Sequence, residues 1–231
     1  MVEREESRRV IALLDRIDAP LFRAAGCWFG GGSAVSLRCE EFRVSRDVDF
    51  LCASRDGYRL LRERVHRDGA QGLFRSPVTL AREARVDRDG IRMAIDINGQ
   101  PLKFEIVSEG RIDRVGADDA ALPVARRTDE DLVAEKLLAN EDRLWADGAL
   151  GRDVMDLLLL EHALGGLPAG AWEKARNAYG PSVESAWPRA LERLRARPDP
   201  RHGAYEAMGV TASAREVIEA RLRALPPVEE P

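Results

Sequence analysis

Hydrophobic periodicity changes once along this chain, and that change divides what the chain can fold into. From Cys27 to about Ser108, short alternating runs are separated by glycine turns, which is the repeat of strands. From about Thr128 onward, apolar residues recur at three and four positions, which is the repeat of helices. The intervening stretch, Glu109 to Arg127, holds Gly110, Gly116 and Pro123 and suits a linker or irregular crossing. With 231 residues, the chain is long enough for one large core or two small ones. The expected class is therefore α+β. Residues 1–127 carry an N-terminal helix and a short mixed or antiparallel sheet flanked by helices, and residues 128–231 form a helical domain.

An opening helix is expected from Glu3 to Ile17, with Val10, Leu13, Leu14 and Ile17 on one face. Ala24 to Phe29 reads as a first strand, stopped by Gly30, Gly31 and Gly32, with Ser33 as N-cap of a short helix. The run Asp47 to Ala53 puts Val48, Phe50 and Cys52 on one strand face and both aspartates on the other. A helix from Asp56 to His66 precedes three strands, Val78 to Val86, Ile91 to Ile97 and Leu102 to Val107. Arg88-Asp89-Gly90 and Asn98-Gly99 join them as hairpins. Further helices are expected from Asp129 to Trp145, Arg152 to Leu164, Ala171 to Tyr179, Val183 to Arg197 and Ala212 to Leu225.

Composition removes several function classes. Basic and acidic residues, 36 and 40 of them, are intermixed, so bulk charge gives no support to nucleic-acid binding, although folding can still gather a local basic patch. Cys27, Cys39 and Cys52 lack metal-finger spacing and read as reduced thiols of a cytoplasmic protein. Glu3, Glu5 and Glu6 make the N-terminus too acidic for a signal peptide, and no apolar run is long enough to span a membrane. His66, His162 and His202 have no metal-ligand or hydrolase spacing. Trp145, Trp172 and Trp187 fall on expected helices and read as core.

The chemistry concentrates on Asp47 and Asp49. Two carboxylates projecting from one strand face repel each other unless a cation joins them. A hard divalent ion such as Mg²⁺ (or Mn²⁺) takes carboxylate oxygens and keeps water and phosphate in its other positions. A D-x-D pair is also common surface decoration. The run Gly30-Gly31-Gly32-Ser33 between an expected strand and helix shifts that balance. Glycine lets backbone N–H groups approach a phosphate, and a helix N-terminus favours an anion. The run is neither a Walker A loop nor a dinucleotide fingerprint, and alone it would read as a flexible turn.

Phe29-Gly-Gly-Gly-Ser33 followed by Arg43-Val-Ser45-Arg-Asp47-Val-Asp49-Phe50 resembles the AbiEii/AbiGii-type nucleotidyltransferase toxins, within the DNA polymerase β-like nucleotidyltransferase superfamily. A second segment agrees. Lys136, Asn140 and Arg143 share one helix face in Asp131 to Arg143, and Arg152-Asp153-Val-Met-Asp156-Leu157 follows. The resemblance covers roughly Phe29 to Leu160. It implies a polymerase β-like core in which Asp47 and Asp49 bind metal and Gly31, Gly32, Ser33 and Ser45 lie at the nucleotide. It further implies that Lys136 contacts the phosphates, that Asp153 completes the active site, and that Arg143 is a phosphate or structural contact. Asp153 equally suits charge complementation of a helix start. Asp156, in an apolar run, needs a partner, with Arg152 or Arg143 as candidates. Such sites usually recruit a third carboxylate. Glu105 is the preferred metal ligand or general base, with Asp96 as rival. Glu161 to Pro231 carries no readable motif and is expected to wall or cover the nucleotide cleft.

The implied reaction moves NMP from an NTP to an acceptor hydroxyl and releases pyrophosphate. The leading expectation is a toxin-like enzyme acting on an RNA 3′ end such as that of tRNA, with a cognate antitoxin as partner. A small-molecule nucleotidyltransferase of the aminoglycoside-modifying type is a second reading. A catalytically silent nucleotide-binding or interaction module is the third.

Overall fold

The computed structural model describes residues 2–146 and 151–226. The chain divides into two compact units, Met1–Leu132 and Val133–Pro231, with the division falling inside one helix.

The first unit is built on a seven-stranded mixed sheet ordered β3-β4-β5-β2-β1-β7-β6. Its strands are β1 (Cys27–Gly30), β2 (Asp47–Cys52), β3 (Thr79–Val86), β4 (Gly90–Ile97), β5 (Gln100–Ser108), β6 (Gly116–Ala117) and β7 (Arg126–Arg127). Alternation sets the faces. Ile91, Met93, Ile95 and Ile97 of β4, and Leu102, Phe104 and Ile106 of β5, all point into the core. The two hairpin signals hold. Asn98 and Gly99 both have positive φ, at 57° and 77°, as a two-residue primed turn between β4 and β5 requires.

Helices α1 (Glu5–Leu14), α2 (Ala19–Ala24), α3 (Gly31–Arg38) and α4 (Arg55–Asp68) complete the unit, with one turn of 3₁₀ helix over Ala70–Leu73. Phe22 of α2 meets Phe50 of β2 edge to face at 4.7 Å, and Phe104 and Phe74 extend the aromatic cluster. Each such ring contributes about 1.5–3 kcal/mol through burial. That core fixes β2 with Val48 and Phe50 inward, so Asp47 and Asp49 must face the other way.

The second unit is helical. It comprises the later turns of α5 (Asp129–Arg143), then α6 (Arg152–Leu164), α7 (Ala169–Tyr179), α8 (Ser182–Ala196), α9 (Pro198–Ala207) and α10 (Ala212–Arg223). Helix α6 is buried from Asp153 to Leu160 and packs against α8 and α10. Arg201 of α9 donates to Glu219 of α10 at 2.8 Å, joining those two helices.

Several expectations need correction. Ser33 is not an N-cap; α3 begins at Gly31 and its cap is Gly30, so the serine lies within the first turn. Helices α2 and α9 and the two-residue strands β6 and β7 occupy stretches read as loop or linker. Trp145 is not core, being 69% exposed just beyond α5. No helix of the described residues is long and apolar enough to cross a membrane.

Candidate active site

In the first unit the site is built at the junction of β1, α3 and β2. Strands β1 and β2 run antiparallel with Gly30 opposite Asp49, so the chain leaves β1 beside the acidic pair and turns directly into α3. No side chain caps α3, and its first turn is Gly31, Gly32 and Ser33. The N–H groups of that turn are the ones a helix cannot satisfy internally.

Each glycine of the run lies against a different neighbour. A Cβ on Gly30 would lie 1.5 Å from Arg127 Nη2, inside the guanidinium. On Gly31, at φ 68°, it would lie 2.3 Å from Asp49 Oδ2. On Gly32 it would lie 2.6 Å from Arg43 Nη2 and 3.3 Å from Ser45 Oγ. The glycines therefore bring the loop backbone onto Asp49 and two arginines. Ser33 Oγ donates to the carbonyl of Asp47 and lies 2.9 Å from Ser45 Oγ, tying the helix start to the entry of β2.

Asp47 and Asp49 share a face, and neither makes an ion pair among the described residues. Desolvation, reinforced by the charge of Asp47, pushes the Asp49 carboxyl up to about 6, against a smaller opposing pull from Lys103. Across the sheet, β5 runs parallel to β2 with Glu105 opposite Asp49 and Lys103 opposite Asp47. Glu105 accepts from Arg92 Nε at 2.6 Å, and Lys103 Nζ stands 2.7 Å from its other oxygen. Burial opposes its charge, but Lys103 and then Arg92 outweigh burial and hold the carboxyl below its ordinary value. To serve as a metal ligand or base, Glu105 would have to exchange both partners. Its rival Asp96 lies farther along β4, opposite Pro101, where it accepts from the Gly99 N–H and closes the hairpin turn.

Among the described residues, no three His, Cys, Asp or Glu side chains are grouped to hold a metal ion. Asp47 and Asp49 nevertheless fit a divalent cation as a two-carboxylate donor set. They are hard oxygen donors, close together, and the one in the drier position is driven toward protonation when no cation is present. Phosphate and water are the usual remaining ligands of Mg²⁺.

Arg127, Arg43 and Lys103 belong to this site without having been read from the sequence as members. Arg127 is fully buried behind Gly30, and desolvation together with the like charge of Arg114 pushes it down to about 9. It lies in a two-residue strand inside the apparent linker, so no periodicity marks it. Lys103 sits two positions before Glu105 on the same strand face, which is a readable signal. Arg43 opens the motif itself.

In the second unit, Lys136, Asp153 and Asp156 form a buried cluster. Lys136 Nζ lies 3.2 Å from Asp153 Oδ1 and 2.6 Å from Asp156 Oδ2. Arg143 meets Asp153 Oδ2 at 2.8 Å. Lys136, which the sequence did not offer as a partner for Asp156, is thus one of its partners. The lysine reaches both carboxylates because Asp153 and Asp156 lie three residues apart, on one face of α6.

A search of curated proteins found no match. Among solved structures, the chain is similar to an antigenic nucleotidyltransferase-like protein from Paracoccidioides brasiliensis, at 14% identity and a TM-score of 0.53, covering 87% of this chain and 94% of that one. A more distant likeness is to the nucleotidyltransferase toxin MenT4 from Mycobacterium tuberculosis H37Rv, at 16% identity and a TM-score of 0.36, covering 97% and 96%. The first likeness supports the fold. The sequence itself matches the model of the nucleotidyl transferase AbiEii toxin family, from Type IV toxin–antitoxin systems, over residues 12–202. The chain accordingly belongs to the AbiEii family of nucleotidyltransferase toxins.

Proposed function

We propose that the protein transfers NMP from an NTP to an acceptor hydroxyl in a reaction that depends on a divalent cation. The observation that carries this reading is the close approach of the uncapped α3 N-terminus to the unneutralised Asp47/Asp49 face, at Gly31. A triphosphate suits that place because the first-turn N–H groups and the helix dipole attract its oxygens. Gly31, Gly32, Ser33 and Ser45 are assigned to hold it. Asp47 and Asp49 are assigned to a Mg²⁺ or Mn²⁺ ion, which when bound would neutralise charge on the phosphates and the leaving pyrophosphate. The acceptor oxygen bonds to the α-phosphorus as the bond to the bridging β-phosphate oxygen breaks. The hydroxyl proton passes to a carboxylate, and pyrophosphate leaves.

Lys136 is the proposed cation for nucleotide phosphate charge, a role that suits a compact ammonium. Asp153 and Asp156 hold that ammonium, and Arg143 braces Asp153. Glu105 is assigned to keep Lys103 beside the acidic pair. The proposed acceptor is an RNA 3′ end such as that of tRNA, and a cognate antitoxin is the proposed partner. Incubation with each labelled NTP, Mg²⁺ and total tRNA is the direct test. Label in the tRNA that is lost with EDTA supports the reading; label transfer unaffected by EDTA would refute the metal assignment. Absence of transfer from every NTP would refute the acceptor.

A further inference from the structure

Strand β2 has β1 on one side and β5 on the other, and the two sides furnish the acidic pair differently. On the β1 side stands the uncapped start of α3, with Gly31 against Asp49, the place assigned to the triphosphate. In transfer from a phosphorus centre, the attacking and leaving oxygens lie roughly in line. With pyrophosphate drawn toward α3, the acceptor hydroxyl arrives from the β5 side.

A second divalent ion on that side, about 4 Å from the first, would need carboxylate oxygens of its own. The carboxylate placed to supply them is Glu105, directly opposite Asp49. Both of its oxygens are engaged. Arg92 Nε donates to Oε1 at 2.6 Å, and Lys103 Nζ lies 2.7 Å from Oε2. Among the described residues, no third carboxylate joins Asp47 and Asp49 in an ion-binding group.

What the β5 side offers instead is a resident cation. Lys103 stands opposite Asp47, on the face that carries both aspartates, and its charge acts on both of them. Its side chain is 45% exposed, so the ammonium can meet an incoming group. An ammonium has three donors and no acceptor. Like a metal ion, it favours an oxygen on which negative charge is growing.

We infer that the site takes one divalent ion with each NTP, and that the Lys103 ammonium, held by Glu105, occupies the place of a second ion beside the acceptor oxygen. The inference rests on the transfer reading and makes Lys103 a catalytic residue within it. The ammonium stabilises the acceptor oxygen as it attacks, while the hydroxyl proton still passes to a carboxylate. Glu105 then has a reason to be matched by cations where Asp47 and Asp49 are left for a metal.

The test counts ions as well as turnover. The full chain is saturated in turn with each α,β-methylene NTP, which cannot release NMP, and titrated with Mn²⁺ while paramagnetic resonance follows the free ion. One Mn²⁺ per protein–nucleotide complex is expected in the wild type. Lys103→Met frees Glu105 Oε2 and should admit a second ion, and Lys103→Met/Glu105→Gln should return the count to one. At ion levels that fill only the first site, Lys103→Met should lower NMP transfer at least about 100-fold with the NTP KM unchanged. Two ions in the wild type, one in Lys103→Met, two in the double variant, or full transfer by the single-ion Lys103→Met would each overturn the inference and leave the transfer reading standing. Failure of the transfer reading gives a different result, since no analogue would then hold Mn²⁺ on the chain, and it removes both.

Discussion

The sheet and the helical unit each carry a pair of aspartates at short spacing, and they treat them in opposite ways. Asp153 and Asp156 on α6 are sealed in the core with their counter-charge beside them, since Lys136 bridges both and Arg143 takes the remaining oxygen. Asp47 and Asp49 on β2 make no ion pair among the described residues, and burial drives Asp49 toward its neutral form. Two nearby cations have carboxylate partners elsewhere: Arg92 and Lys103 pair with Glu105. A carboxylate pair matched internally is structural and positions a lysine. A pair left unmatched is ready for a cation from solution.

The strongest way to break this contrast is Asp49→Ala. Loss of one of two proposed metal donors should lower NMP transfer by at least about 10³-fold. Near wild-type transfer in a folded variant would show that the unmatched pair is not catalytic.

On the helical side, Lys136→Met removes the ammonium shared by two buried carboxylates and should cost about 3–5 kcal/mol in urea unfolding. The double variant Lys136→Met/Asp156→Leu also removes the carboxylate at the fully buried position and should recover much of that loss, while transfer stays low. Equal destabilisation in both variants would mean that the cluster does not behave as a matched set.

Gly31→Ala sharpens the contrast from the sheet side. The new Cβ meets Asp49 Oδ2 at a backbone angle that side chains rarely adopt, so about 1–3 kcal/mol of stability should be lost. Transfer should fall by roughly 10–100-fold, since a misplaced reacting group is costly.

The smallest effect is electrostatic. The Asp49 carboxyl is raised from 3.8 to about 6 in the fold, so ionising it costs the folded state. That cost is absent below about pH 4, grows between 4 and 6, and is fully present above. Without metal at pH 7.5, Asp49→Asn should therefore stabilise the protein, by at most roughly 3 kcal/mol before solvent screening reduces it. At pH 4 the gain should vanish. Thermal unfolding at the two pH values measures the difference, and a gain that persists at pH 4 would exclude the charge as its source.

How legible these regions were depended on how local their physics is. The β4–β5 hairpin could be read because Asn98-Gly99 specifies its turn, and α6 because Leu164 is followed by a glycine that ends the helix. The placement of Asp47 and Asp49 on one face followed from a two-residue repeat. Helix α9 was hidden because Pro198, Pro200 and Gly203 read as loop, although proline is well tolerated in a first turn. Strand β7 was hidden because two residues carry no period, and with it went Arg127, whose role depends entirely on tertiary register with β1. The phosphate role expected of Lys136 rests on resemblance alone, and its bond to Asp156 shows only in the packed helices.

The glycine run also has a consequence for how such sequences can drift. Gly30, Gly31 and Gly32 each yield their side-chain space to a different charged residue, Arg127, Asp49 and Arg43. The three positions are therefore not interchangeable, although they look alike. A lineage that replaces Arg127 with a shorter residue frees position 30 alone to gain a side chain. Position 31 stays closed whatever occupies position 49, because its positive φ strains any side chain. Across relatives, substitutions at 30 and 127 should arrive as pairs, and 31 should vary last.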